Sequence, residues 1–386
     1  MDGPQRELRS LNLLALVCVM LTLTLGVTKL FVQRAHLPSY ATPTYNTYEG
    51  FVSIDQYCIR AEKMRDRVQA GPDEVEGAQA EMMKDLRKRG HPSAILIPAI
   101  IALVSIPVGS IPYAFIGLVI AALLLQFLAV RRLASRLTGG AAPAIAIATV
   151  LVASHCDTVR SSAQLLLDPF AALFTTLTVL VSQRRHEGGG AGTTWTLVAL
   201  QLLGPFIKLS YLPALAAPAI VTLCVARENR IGGALLDGIR FGLLPVLPAV
   251  AYVLAVPTLD GFGREMDQTL ESSSMSSWEL GNFAIEMALL LAPLVVLLWR
   301  PKTDAARIDA RTGSVLLVVL TFLLSLWALR LPDDHRLYLP LIGLMAAAVA
   351  ARVWDAFGPA RTHRWLAIYA TLNYGVALAG ILLVLR

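Results

Sequence analysis

Charge is scarce in this sequence: 16% of its residues are Asp, Glu, Lys or Arg, where soluble domains carry about 25%. Hydrophobic residues fill 56% of the 386 positions. So little charge cannot cover a water-exposed surface, which argues against a soluble domain class. Cysteine is scarcer still. Cys18 and Cys224 fall in apolar runs and Cys58 and Cys156 in loops, with no CxxC and no Cys/His metal spacing. Phosphate-cradling glycine spacing is missing too, since Gly139-Gly140 and Gly188-Gly-Gly190 read as loop linkers. No internal repeat is strong enough to argue for a transporter built of related halves. The net charge of +6 is dispersed over short loops and forms no patch, which leaves no nucleic-acid partner.

What the chain does contain is apolar stretches recurring from Leu11 to Leu385. They predict an all-α, polytopic transmembrane helical bundle in which 1–386 forms a single integral membrane domain. The first span covers Leu11 to Phe31, and Arg6 and Arg9 before it place its start in the cytoplasm. Its length and the absence of a small-residue cleavage site favour an uncleaved anchor over a signal peptide. Residues 32–110 form the first outer loop with juxtamembrane helices, and 111–386 the rest of the bundle. Within that loop Ser93 to Pro107 is apolar but only about 22 Å long as a helix, too short for a core of about 30 Å.

Charge decides how that piece is read. With Ser93–Pro107 not crossing, Arg131, Arg132, Arg136, Arg184, Arg185, Arg240, Arg311 and Arg352 all fall in cytoplasmic loops. The short outer loops beyond residue 110 then keep only Arg160, Lys208, Arg264, Arg330 and Arg336. The expectation is about eleven spans, with the N-terminus inside, in a multi-pass cell-membrane protein whose active face points outward.

That topology gathers Asp55, Asp157, Asp168, Lys208, His335, Arg336 and Tyr338 at one outer surface. Asp55, in Phe51-Val-Ser-Ile-Asp-Gln-Tyr-Cys, is a loop carboxylate that reads either as solvated or as a base for an incoming hydroxyl. His155-Cys-Asp157 and Arg160 form the second outer loop, and Asp168-Pro169 opens the next span. Asp168 reads as a helix cap. Yet acids in apolar surroundings usually face cavities or partners, and with Asp55 both Asp157 and Asp168 could share a divalent cation. Lys208 can snorkel to the interface or hold a lipid phosphate. Arg336 with His335 and Tyr338 suits a phosphate leaving group, against the plainer reading of a solvated loop. Between spans, 257–282 reads as a loop able to order over a substrate.

These pieces, in this order, resemble the glycosyltransferase C superfamily, polytopic enzymes that use polyprenyl-phosphate-linked sugars, and most of all its aminoarabinose-transferase-like and protein-mannosyltransferase-like members. The resemblance rests on Asp55-Gln-Tyr57 in the first outer loop and on His91-Pro92-Ser93 opening an apolar helix. It rests also on Arg160 followed by the span-entry Asp168, and on His335-Arg336-Leu-Tyr338-Leu-Pro340. The frequent Asp-Glu of the family is Asp55-Gln56 here, the second proline of its His-Pro-Pro signal is Ser93, and Leu337 separates Arg from Tyr.

The resemblance implies an inverting transferase taking a polyprenyl-phosphate-linked sugar from the membrane lipid phase. Asp55 would be the base, and Lys208, His335, Arg336 and Tyr338 would hold the donor phosphate. Asp157, Arg160, Asp168, Tyr57 and His91 would position substrate or metal. The alternative is a transporter or flippase for a lipid-linked or anionic solute, which would need charge deep in spans or broken helices. Glu286 is its main candidate residue.

Overall fold

The computed structural model describes residues 3–36, 61–62, 64–66, 93–164, 167–226, 228–255, 277–328 and 338–384. Among these residues all regular structure is helical and no strand forms. The main helices are α1 (Gly3–His36), α2 (Ser93–Val108), α3 (Ile111–Leu137), α4 (Ala142–Ser154), α5 (Cys156–Gln164), α6 (Asp168–His186) and α7 (Ala191–Ile207). There follow α8 (Ala217–Val225), α9 (Arg230–Asp237), α10 (Leu244–Ala255), α11 (Ser277–Leu291), α12 (Ala310–Ala328) and α13 (Leu339–Val384). Proline sits in the first turn of α3, α4, α6 and α8. There its fixed φ suits the helix and its missing N–H costs nothing.

The core is built around α4. Its sequence, APAIAIATVLVAS, is almost all small or β-branched, and it is buried from Ala146 to Ser154. Small side chains let neighbours approach closely, as helix packing in lipid requires. It contacts α1, α3 and α13. Large apolar side chains face outward elsewhere, with Leu13, Leu103 and Leu128 each 61% exposed.

The last helix is not straight. Gly358 has φ +67°, a conformation open mainly to glycine. Four residues later, the Thr362 hydroxyl donates to the Val353 carbonyl at 3.4 Å. In a continuous helix those positions would be about 13 Å apart, so the chain folds back at Gly358. Phe357 stacks on Trp365 with centroids 5.6 Å apart, and Trp365 on Tyr369 at 5.5 Å, which fixes the two arms.

Four stretches are long and apolar enough to cross a membrane: Gln5–Leu25, Tyr113–Leu137, Arg230–Ala251 and Leu339–Ala379, the last divided into two arms by the fold-back at Gly358. A fifth arises if the bent pair Ala142–Ser154 and Cys156–Ser162 counts as one. Two further apolar segments fall short where their helices are interrupted. α7 gives way to a 3-10 segment (Leu209–Ala216) containing Pro213 before α8 begins. α11 likewise tightens into a 3-10 turn at Ala292-Pro293.

Candidate functional site

The expected second outer loop is not a loop. His155 adopts an extended conformation that ends α4, and α5 starts at once with its axis turned by 59°. Sequence supplies the reason. The apolar run stops at Ser154, and the first backbone donors of α5 find side-chain partners. Cys156 N–H donates to Asn373 Oδ1 at 3.0 Å, and Asp157 N–H to His155 Nδ1 at 3.2 Å. Neighbouring helices lock the break. Ser162 donates to the Thr22 carbonyl at 3.0 Å, Thr22 to the Ala153 carbonyl at 2.6 Å, and Tyr374 to the Cys18 carbonyl at 2.8 Å.

Around this break lies the first polar group. Arg160 pairs with Glu286 of α11 and also donates to the Val376 carbonyl at 3.2 Å. Glu286 is 2% exposed and Arg160 18%. A carboxylate so deep needs a counter-charge, and the guanidinium supplies it. Asp157 lies beside His155, with Oδ2 and Nδ1 3.6 Å apart. Ligand atoms of His155, Cys156 and Asp157 all fall within 4.8 Å of one another, all three buried. Thiol, imidazole and carboxylate together form a borderline-soft donor set. However, His155 Nδ1 already accepts the Asp157 N–H, so the group serves first as the cap of α5.

The second group joins α6 to the end of α7. Asp168 is the first residue of α6, yet its carboxylate does not cap the helix: it pairs with Lys208. Asp168 is 0% exposed and Lys208 21%. Lys208 is placed by an extended backbone at the end of α7, after Pro205. Below it, Tyr211 lies so close to Gly204 that a Cβ there would fall 2.1 Å from the ring. Tyr211 bonds Thr178 at 2.7 Å and Gln201 at 3.1 Å, which ties the turn after Lys208 to α6.

The structure therefore brings Asp157 and Arg160 together with His155, Cys156 and Glu286, and Asp168 together with Lys208. Tyr338 is buried in the main core just before α13. Asp55, Tyr57, His91, His335 and Arg336 lie outside the described residues. Of the residues considered for a shared cation, Asp168 already carries an ammonium partner. The pairing of Glu286 with Arg160 was missed from sequence. The available signal was a lone acid in the apolar run Ala284-Ile-Glu-Met-Ala-Leu-Leu, which demands a partner.

Comparison with protein-family models and with curated proteins finds no match for this chain.

Proposed function

We propose that this chain is an integral membrane glycosyltransferase of about eleven spans. It moves a sugar from a polyprenyl-phosphate donor to a lipid, glycan or protein acceptor at the extracytoplasmic face. The observation that carries the reading is the Lys208–Asp168 pair: a fully buried carboxylate holding an ammonium that remains 21% exposed. Such a cation is fixed in direction and still open on one side, as a phosphate-binding group needs to be. Arg160, anchored by Glu286 and 18% exposed, is a second cation of the same kind.

In the proposed reaction Asp55 takes the proton of the acceptor hydroxyl as its oxygen attacks the anomeric carbon. The bond from that carbon to the phosphate oxygen breaks, and the polyprenyl phosphate leaves with its negative charge. Lys208, His335, Arg336 and Tyr338 steady that charge, while Arg160 positions the donor and the buried Asp157 and Asp168 act through Arg160 and Lys208. The test is transfer of radiolabelled sugar from purified polyprenyl-phosphate donors by the reconstituted protein.

A transporter or flippase remains as a second reading, because one observation favours it. The 59° bend between α4 and α5 is the broken-helix geometry that solute sites use, and a buried Arg160–Glu286 pair lies beside it. Proteoliposomes separate the two readings: the enzyme leaves sugar on an acceptor, whereas a flippase moves intact donor between leaflets.

A further inference from the structure

The opposite end of α6 carries a different charge cluster. α6 has 19 residues and is about 28 Å long, so Asp168 at its start and Glu187 just past its end lie at opposite ends of the bundle. Glu187 pairs with Arg136 of α3 and with Arg311 of α12, the latter at 3.0 Å. Arg132, one turn before Arg136, and Arg184, one turn before Glu187, both act on Arg136 with like charge, as Arg311 does. Among the described residues, Glu187 is the one carboxylate that forms an ion pair with any of these four arginines. Two guanidiniums therefore share one carboxylate, and Arg132 and Arg184, each one helical turn from a member of that group, add positive charge beside it.

The chain keeps them together by geometry. Gly139 and Gly140, both at positive φ, turn the chain sharply after α3, and Gly188 does the same after α6. Asp309, at the start of α12, is engaged in accepting the Thr312 N–H at 2.8 Å. The charge also continues into an apolar face. Leu125 and Leu128 are 51% and 61% exposed, and with the exposed Arg132 they follow the i, i+3, i+7 spacing of one helix face.

We propose that Arg132, Arg136, Arg184 and Arg311 form a headgroup site for the phosphate of an anionic phospholipid, whose acyl chains lie along Leu128 and Leu125. The excess positive charge meets the phosphate diester, and the leucine face meets the hydrocarbon. A soluble phosphate would satisfy the arginines alone and gain nothing from the adjoining leucine face. This site is independent of the sugar-transfer reading, since it lies at the other end of α6.

The test is native mass spectrometry of the full-length protein in detergent, titrated with phosphatidylglycerol, with phosphatidylcholine, or with inorganic phosphate. Phosphatidylglycerol should be retained several-fold better than phosphatidylcholine. Arg132→Gln and Arg311→Gln should each weaken retention about five-fold, the effect of one basic group at an anionic headgroup. Arg132→Lys should keep most of it. Arg132 is exposed, so its variants test the site without disturbing the core, and an unchanged melting temperature confirms that. Equal retention of the two lipids would overturn the proposal. So would glutamine variants that match the parent, or full displacement of the lipid by inorganic phosphate at equal concentration.

Discussion

Lys208 and Asp168 lie 40 residues apart in sequence and form an ion pair in which only the lysine reaches the surface. The carboxylate is closed off at the head of α6, and the ammonium sits at the extended end of α7. Removing the lysine leaves a buried charge unpaired. Lys208→Met should therefore destabilise the protein by about 3 kcal/mol, the low end for a broken buried pair because the lysine is partly exposed. Pairing it with Asp168→Asn should recover most of that loss. Thermal melts of both variants in detergent check this, and an undiminished melt for Lys208→Met alone would mean the pair carries no stability.

Arg160 and Glu286 should divide stability from function differently. Glu286→Gln keeps shape and an acceptor for Arg160 but removes the paired carboxylate charge, so Arg160 is held less firmly, by the Val376 carbonyl and a neutral amide. If Arg160 positions the donor, this variant should weaken donor binding about ten-fold while changing turnover at saturation less. A drop in turnover at saturating donor with unchanged binding would assign the pair to the chemical step instead.

The turn after Lys208 depends on a glycine. Gly204→Ala drives a methyl into the Tyr211 ring, 2.1 Å away, and Tyr211 holds hydrogen bonds to Thr178 and Gln201. Overpacking of this kind costs about 1–3 kcal/mol, and here it should also shift Lys208. Gly192→Ala, whose added carbon meets nothing within 4 Å, is the control and should leave the melt unchanged or slightly raised, since alanine favours the helix.

Sequence made some of this legible. Apolar runs and proline positions announced helices throughout, and the starts of α3, α4, α6 and α8 coincide with prolines. Rare acids in apolar surroundings pointed to Asp157, Asp168 and Glu286. Their partners were not legible, because Arg160–Glu286 and Lys208–Asp168 join residues 126 and 40 positions apart. Nothing local encodes such contacts. The helical character of Cys156–Gln164 was also hidden, since its N-terminal donors are satisfied by His155 and by the distant Asn373. The fold-back at Gly358 was legible, because Arg352, Arg361 and Arg364 separate two apolar runs there.

Topology offers an independent check on the proposed site. Cysteine introduced at Gly71 should label from outside intact cells, and cysteine at Gly189 only after permeabilisation. If both label from the same side, the eleven-span reading fails, and Asp55 no longer shares a face with Lys208.

The central claim is that sugar transfer depends on a carboxylate base at Asp55. The direct measurement is single-turnover transfer of radiolabelled sugar from a polyprenyl-phosphate donor by the parent protein and by Asp55→Asn. The variant should insert, bind donor and melt like the parent, because an amide replaces a carboxylate of the same shape. Its rate should fall by about 10²–10⁴-fold, the usual contribution of a general base. A loss of less than about threefold in an active preparation would contradict the assignment.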